Sequence, residues 1–395
     1  MLNHRLITSF ETPKAFTEEA IQFLKRHAEA KKVFCALSGG IDSSATYSLL
    51  KKADIETIPV FIDHGLMRII RGKEERDYIK ELFPKVRILD IRKAFLPKIY
   101  GEKDAEKKRQ LFKAAYSDII SKVISKERCD LLADGTILPD IEESFGIEIK
   151  DIKETMSLEE EQVLMEKHKE GFIKSQHNLA IEYDVEATIQ PVASLTKIQV
   201  RKVLDYLELP QEVVYRKAFP GPALAARIIG AVTKENLTFE KKVHDIVESS
   251  VEDYYKEKYG KFLIVNENGM QEPFQAFAAV SKNIEKSKVT GMIDGKRSYD
   301  YPKVVEGKWD FESLIEQASS LEKYARLFFK LGEKQSGTYD VVIRSVDSVD
   351  ARTANVTHLP IEFLKGLKER LIEFEKTRCV YYDCTPKPPG TIEYV

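Results

Sequence analysis

Between the apolar run Val33-Phe-Cys-Ala-Leu37 and a helical stretch, Ser43 to Lys51, the chain reads Ser38-Gly-Gly-Ile-Asp-Ser-Ser44. The apolar run is short and reads as a buried strand. The paired glycines let the backbone turn sharply and aim its N–H groups at an anion. Serine hydroxyls and the start of a helix add donors and a positive dipole. A strand, a polyphosphate loop and a helix follow from this reading. The spacing matches neither G-x-x-x-x-G-K-S/T nor G-x-G-x-x-G, since no lysine closes the loop and the glycines are adjacent. A second reading stays open, in which the glycines make an ordinary turn and Asp42 and the serines merely cap the helix.

The rest of the first half repeats this alternation. Short β-rich runs stand at Thr57 to Ile62, Val86 to Ile91, Leu131 to Ala133 and Ala187 to Val192, with helical periodicity between them and at Pro13 to Ala30. The stretch Asp104 to Lys126 sets Leu111, Phe112, Ala115, Tyr116, Ile119, Ile120 and Val123 on one face of a helix. The alternation predicts an α/β fold with a doubly wound parallel sheet. Residues 141–171 are highly charged with weak periodicity, and are expected to form a mobile, lid-like excursion from the sheet. Phe219-Pro-Gly-Pro222 is a rigid turn. A domain boundary is expected just beyond it, dividing 1–230 from 231–395. From Val232 the pattern is a helix followed by β-rich segments at Asp340 to Val346 and Cys379 to Asp383, which predicts a smaller α+β domain.

Charge and cysteine usage narrow the function classes. With 62 Lys+Arg against 64 Asp+Glu the net charge is -2, which lacks the cationic excess of a general nucleic-acid binder. Cys35, Cys129, Cys379 and Cys384 show no metal-ligand spacing and no disulfide framework, so a reducing cytoplasm fits. No window approaches the roughly 18 apolar residues of a membrane span, and no signal-peptide core is present.

The full S-G-G-x-D-S-S resembles the pyrophosphate-binding loop of the N-type ATP pyrophosphatases. The resemblance implies that Ser38, Gly39, Gly40, Asp42, Ser43 and Ser44 hold the β- and γ-phosphates of ATP while the α-phosphate is attacked, with Asp42 on Mg²⁺. Further motifs resemble, in order, those of the GMP synthetase family. They are Asp63-His-Gly-Leu-Met-Arg68, the run Gly101 to Arg109, Asp134-Gly-Thr-Ile-Leu-Pro-Asp140, Lys174-Ser-Gln-His-Asn178 and the run Phe219 to Arg227. The match continues through Gln275-Ala-Phe277, Arg297-Ser-Tyr-Asp-Tyr301, Val342-Ile-Arg344 and the ending Val380 to Glu393, which contains the family's K-P-P-x-T-I-E tail.

By this resemblance the chain aminates XMP to GMP through an adenylylated intermediate, releasing AMP and pyrophosphate. Lys387 would neutralise the nucleotide phosphate and Glu393 would accept from the ribose hydroxyls, with Ile392 packing nearby and Arg68 and Arg227 as further XMP contacts. Catalytic roles are implied for Asp42, His177 and Lys197, and the second domain would mediate a homodimer. No cysteine sits in the glycine-flanked elbow of a class I amidotransferase, so ammonia is expected from solution or from a separate glutamine amidotransferase subunit. Three departures from the family pattern stand out: Gln176 for the first of two histidines, Asp134 for a glutamine, and Asn355-Val356 for a bulkier stretch. A pocket altered in this way leaves open a non-catalytic nucleotide-binding or assembly paralogue.

Overall fold

A computed structural model describes residues 1–167, 183–260, 272–293, 296–348 and 353–394. Its first elements are β1 (Leu2–Arg5), α1 (Pro13–Ala28), β2 (Val33–Ala36), α2 (Ile41–Lys52), β3 (Thr57–Asp63), β4 (Ile69–Ile70) and β5 (Lys73–Glu74). Next come α3 (Glu75–Leu82), β6 (Arg87–Asp90), α4 (Arg92–Ile99), α5 (Ala105–Glu127), β7 (Leu131–Ala133) and α6 (Leu138–Phe145). The run continues with β8 (Thr155–Ser157), α7 (Leu158–Lys167), β9 (Ala187–Gln190), α8 (Lys197–Tyr206) and α9 (Gln211–Val214).

The later elements are α10 (Lys234–Tyr259), β10 (Gln275–Ser281), β11 (Val289–Ile293), β12 (Lys296–Asp300), β13 (Pro302–Val305) and α11 (Phe311–Ser319). They end with β14 (Arg326–Glu333), β15 (Tyr339–Asp347), β16 (Asn355–Val356), α12 (Ile361–Ile372) and β17 (Thr377–Asp383).

The chain forms two compact units, each drawn from separate stretches. The first gathers Met1–Asp63, Ile79–Asp90 and Lys113–Arg216, and the second gathers His64–Tyr78, Ile91–Phe112 and Lys217–Val395. The division therefore falls at several places along the chain and differs from a single cut after residue 230.

In the first unit a seven-stranded sheet runs β6-β3-β2-β7-β9-β1-β8. All its pairings are parallel except that of β8 with β1. The five strands expected from the sequence form its body. Val33, Phe34 and Cys35 are at most 1% exposed, which explains the unbroken apolar run: a central parallel strand is covered on both faces. From β2 the chain winds outward through β3 and β6, then returns beside β2 as β7 and winds the other way through β9. The switch of direction therefore lies between β2 and β7, and ligands of open α/β sheets bind at the carboxyl ends of strands at such a point.

The charged segment 141–171 departs from expectation. As far as residue 167 it is not an excursion from the sheet, because it supplies the edge strand β8, and Ile141, Phe145, Ile152 and Met156 build a small apolar cluster. Its acidity is partly internal: Glu161, fully buried, accepts from Arg5 and, at 2.7 Å, from the Asn3 amide. Residues 168–171 lie outside the described residues.

In the second unit a sheet runs β10-β15-β17-β14-β13, with β16 paired to β15. Its β15 and β17 are almost wholly buried, as their β-branched and aromatic composition requires. The stretch 301–339 builds β13, α11 and β14, and β13 lies parallel to β14 as a crossover demands. Among the described residues no helix is long and apolar enough to cross a membrane.

Candidate active site

The loop after β2 is shaped by two glycines that admit no side chain. Gly39 has φ +80°, and a Cβ there would meet Ile79 Cδ1 at 2.2 Å. Gly135, in the turn after β7, passes so close that a Cβ would lie 2.8 Å from the backbone carbon of Asp42 and from the Ser43 nitrogen. The two turns at the switch point thus touch backbone to backbone. Ser38 Oγ accepts from the Gly40 N–H at 3.4 Å and lies 3.1 Å from Ser43 Oγ, and Ser43 Oγ donates to the Gly40 carbonyl at 3.1 Å.

Gly40 is the N-cap of α2, and no side chain caps that helix. The reading in which Asp42 and the serines serve as caps is therefore not what forms. The first N–H groups of α2 remain available to an anion, where the helix dipole favours negative charge. Ser44 is fully buried and Ser43 nearly so.

Asp42 pairs with Lys197, the first residue of α8. The lysine is placed by a capping box in which Thr196 Oγ1 accepts from the Gln199 N–H and the Gln199 side chain accepts from the Thr196 N–H at 2.8 Å. The other Asp42 oxygen, Oδ1, is buried with no hydrogen-bond partner among the described residues. A hard cation held by one carboxylate oxygen and by phosphate oxygens fits that donor set. Among the described residues no cluster of three or more His, Cys, Asp or Glu could hold a metal alone.

Sequence reasoning missed Arg216, whose Nη1 lies 3.1 Å from the Cβ position of Gly39 and whose side chain is 8% exposed. It brings a buried cation to the loop after β2, and nothing in its local sequence separates it from neighbouring basic residues. Cys35, beneath the loop, has its thiol pushed up to about 12 by burial and by the Asp134 charge, which leaves it inert. His177 lies outside the described residues.

In the second unit the tail is clamped from within. Arg326 and Arg344, both wholly buried, pair with Asp383 at 2.8 and 3.2 Å. Arg326 Nη2 donates to the carbonyls of Thr391 and Glu393 at 2.9 and 2.6 Å, and Arg344 Nη1 donates to the Thr385 carbonyl at 2.5 Å. Burial works against ionisation of Asp383, yet the two guanidiniums hold its carboxyl below the ordinary value. Lys387 exchanges backbone hydrogen bonds with Ala354 at 3.1 and 2.8 Å, Ile392 packs on the apolar core, and Glu393 accepts from Arg109 at 3.3 Å.

Arg68 and Arg227 meet in the same unit. Each is 2% exposed, and their guanidiniums lie 4.7 and 4.9 Å from the centre of the Phe219 ring. Arg68 donates to Glu248 at 2.5 Å, and Arg227 Nη1 lies 2.9 Å from His244 Nδ1. Burial, then the neighbouring Arg227, lowers the His244 pKa to about 4. Arg227 Nη1 also lies 3.1 Å from His244 Nε2, which is itself 3.4 Å from Glu248 Oε2. Burial raises the Glu240 carboxyl well above its usual range, against the pull of the Arg227 charge. Both arginines, expected from the resemblance as XMP contacts, are set inside this polar network.

Comparison with known proteins supplies relatives over nearly the whole chain. Residues 308–394 match the GMP synthase C terminal domain model. The chain is similar to a subunit of GMP synthase (glutamine-hydrolyzing) of Saccharolobus solfataricus, at 30% identity over 97% of this chain and 99% of that one. The corresponding subunit of Methanopyrus kandleri is also 30% identical, with 97% and 99% covered. That of Archaeoglobus fulgidus is 31% identical, with 96% and 98% covered. Among solved structures, NMN synthetase from Francisella tularensis aligns with a TM-score of 0.35 and 14% identity, covering 54% of this chain and 78% of that one.

Proposed function

The chain belongs to the family of these GMP synthase subunits, ligases that form a C–N bond, and on that premise we propose that it aminates XMP to GMP by way of an adenylyl-XMP intermediate. The carbonyl oxygen at C2 of XMP is a poor leaving group. Its attack on the α-phosphorus of ATP turns it into a phosphate ester and releases pyrophosphate. Ammonia then adds at C2, loses its extra protons and displaces AMP.

The observation that carries this reading is the glycine-bounded loop at the sheet's switch point, opening onto the uncapped start of α2. Its N–H groups and those of α2 suit the charge that develops on departing pyrophosphate. Arg216 adds a fixed cation, and Lys197 neutralises Asp42 beside it. Mg²⁺, when bound through Asp42 and the phosphates, supplies further charge neutralisation. We assign catalytic work to Asp42, Lys197 and His177, and ATP binding to Ser38, Gly39, Gly40, Asp42, Ser43 and Ser44.

XMP binding is assigned to Lys387, Ile392 and Glu393 of the clamped tail. Arg68 and Arg227 are assigned as further XMP contacts. Residues 1–230 would carry the ATP chemistry, and 231–395 the nucleotide tail and a homodimer contact. A separate glutamine amidotransferase, which the relatives' naming as one subunit of a glutamine-hydrolyzing enzyme suggests, or free ammonium would supply nitrogen. The four cysteines, free and buried, suit a reducing cytoplasm.

Pyrophosphate release from ATP and Mg²⁺, measured with and without XMP and ammonium, tests the proposal. Release that requires XMP, with GMP formed only when ammonium is present, is expected. Release indifferent to XMP, or no release at all, sinks it and favours a non-catalytic paralogue.

A further inference from the structure

Beside the phosphate loop, within the first unit, lies a cavity of about 50 Å³ whose lining includes Asp134, Gln190, Tyr116, Tyr183, Thr188 and Asn3. We propose that this cavity is a docking site for ammonium, the nitrogen substrate of the amination. The inference rests on the reading of the chain as an ammonia-using ligase.

Asp134 follows β7 and Gln190 ends β9, the adjacent strand. Asp134 Oδ1 accepts from the Thr136 N–H at 3.0 Å, and Oδ2 accepts from the Gln190 side-chain amide at 3.2 Å. That second bond settles which way the amide faces, because only its nitrogen can donate to a carboxylate. Gln190 Oε1 is thereby turned away from Asp134. It is buried, on a residue 1% exposed, and has no hydrogen-bond partner among the described residues. An unpaired buried acceptor is costly, so the geometry calls for a donor.

The donor must be small and is best served by a positive charge. The volume suits a molecule the size of water, and ammonium is that size. Among the described residues no Lys, Arg or His lines the cavity, while a carboxylate with unused lone pairs, an amide oxygen, phenol oxygens and two aromatic rings do. The charge of Asp134 is felt there: burial first, then that carboxylate, pushes the Tyr183 phenol up to about 12. A divalent metal would want more carboxylates than one.

The placement also fits. The Thr46 hydroxyl of α2 donates to the Asp134 carbonyl at 3.3 Å, and Gly135 touches the backbone of Asp42 and Ser43. Nitrogen held here is next to the loop that activates its acceptor. Asp134 stands where the resembling family commonly has glutamine, so the negative charge is this chain's own variation.

The test is steady-state kinetics with ammonium varied at saturating ATP and XMP, for wild type, Asp134→Asn and Gln190→Met. Each substitution should raise the KM for ammonium roughly tenfold, with the KM values for ATP and XMP unmoved. An unchanged ammonium KM in folded Asp134→Asn overturns the proposal. Thallium(I), a monovalent cation of similar size, gives a second readout on unaltered protein. An anomalous peak within bonding distance of Asp134 and Gln190 is expected, and a cavity without one overturns the site. Wild type that forms no GMP counts against the ligase reading instead, and thallium still decides whether the cavity takes a cation.

Discussion

Arg109 Nη2 donates to Glu393 Oε2 at 3.3 Å, joining residues 284 positions apart. Glu106 accepts from the same guanidinium at 2.8 Å, so α5 holds the last acidic side chain of the tail in a set position. Glu393 is thus oriented by the fold itself, and a ligand bound there would cost it little further ordering entropy.

Lys387→Ala should weaken XMP binding by roughly 1.5–3 kcal/mol, the worth of a charge-assisted phosphate contact. Its backbone bonds to Ala354 survive the change, so the tail should keep its path. Calorimetric titration decides, and an XMP affinity equal to wild type removes Lys387 from the nucleotide site.

Asp42→Asn should abolish XMP-dependent pyrophosphate release and shift stability by no more than about 1 kcal/mol. The pair with Lys197 is part-exposed, and such pairs contribute little to folding. Turnover near wild type at saturating Mg²⁺ would falsify the role given to this carboxylate.

Gly135→Ala should impair turnover by displacing the loop after β2. Its new methyl group would press on the Asp42 and Ser43 backbone at 2.8 Å, an overpacking expected to cost about 1–3 kcal/mol. Thermal melting together with ATP titration checks it, and a variant that binds ATP normally with an unaltered Tm contradicts the contact.

His64 gives a pH prediction. Burial, then the charge of Lys241, lowers its pKa to about 3, while an unfolded histidine titrates near its ordinary 6.5. Between these values the unfolded chain binds the extra proton, so stability is full above pH ~6.5 and falls as the pH drops. The loss from this residue should reach ~3 kcal/mol by pH 4. Denaturant titrations at pH 7 and 4.5 should therefore show a smaller difference for His64→Gln than for wild type, and equal differences would show that His64 does not drive it.

Much of the first sheet was legible because its strands are buried on both faces and announce themselves as apolar runs. β1 and β8 were not. Leu2–Arg5 mixes polar and charged residues and becomes a strand only through its partners Ala187–Gln190 and Thr155–Ser157. Charge in the segment after residue 141 reads as solvation, yet Glu161 is buried with Arg5, from far earlier in the chain. Local patterns carry no trace of such a pairing. The tail was recognisable as a motif, but the arginines that clamp it come from β14 and β15, and only the folded sheet brings them to Asp383.

The chain enters and leaves the second unit repeatedly, depositing His64–Tyr78 and Ile91–Phe112 there before the first sheet has received β7 and β9. During synthesis the first unit cannot be finished before those two stretches of the second have been made. A fragment ending near residue 230 would carry His64–Tyr78 and Ile91–Phe112 without the greater part of the unit to which they belong, so no single cut there separates one unit from the other.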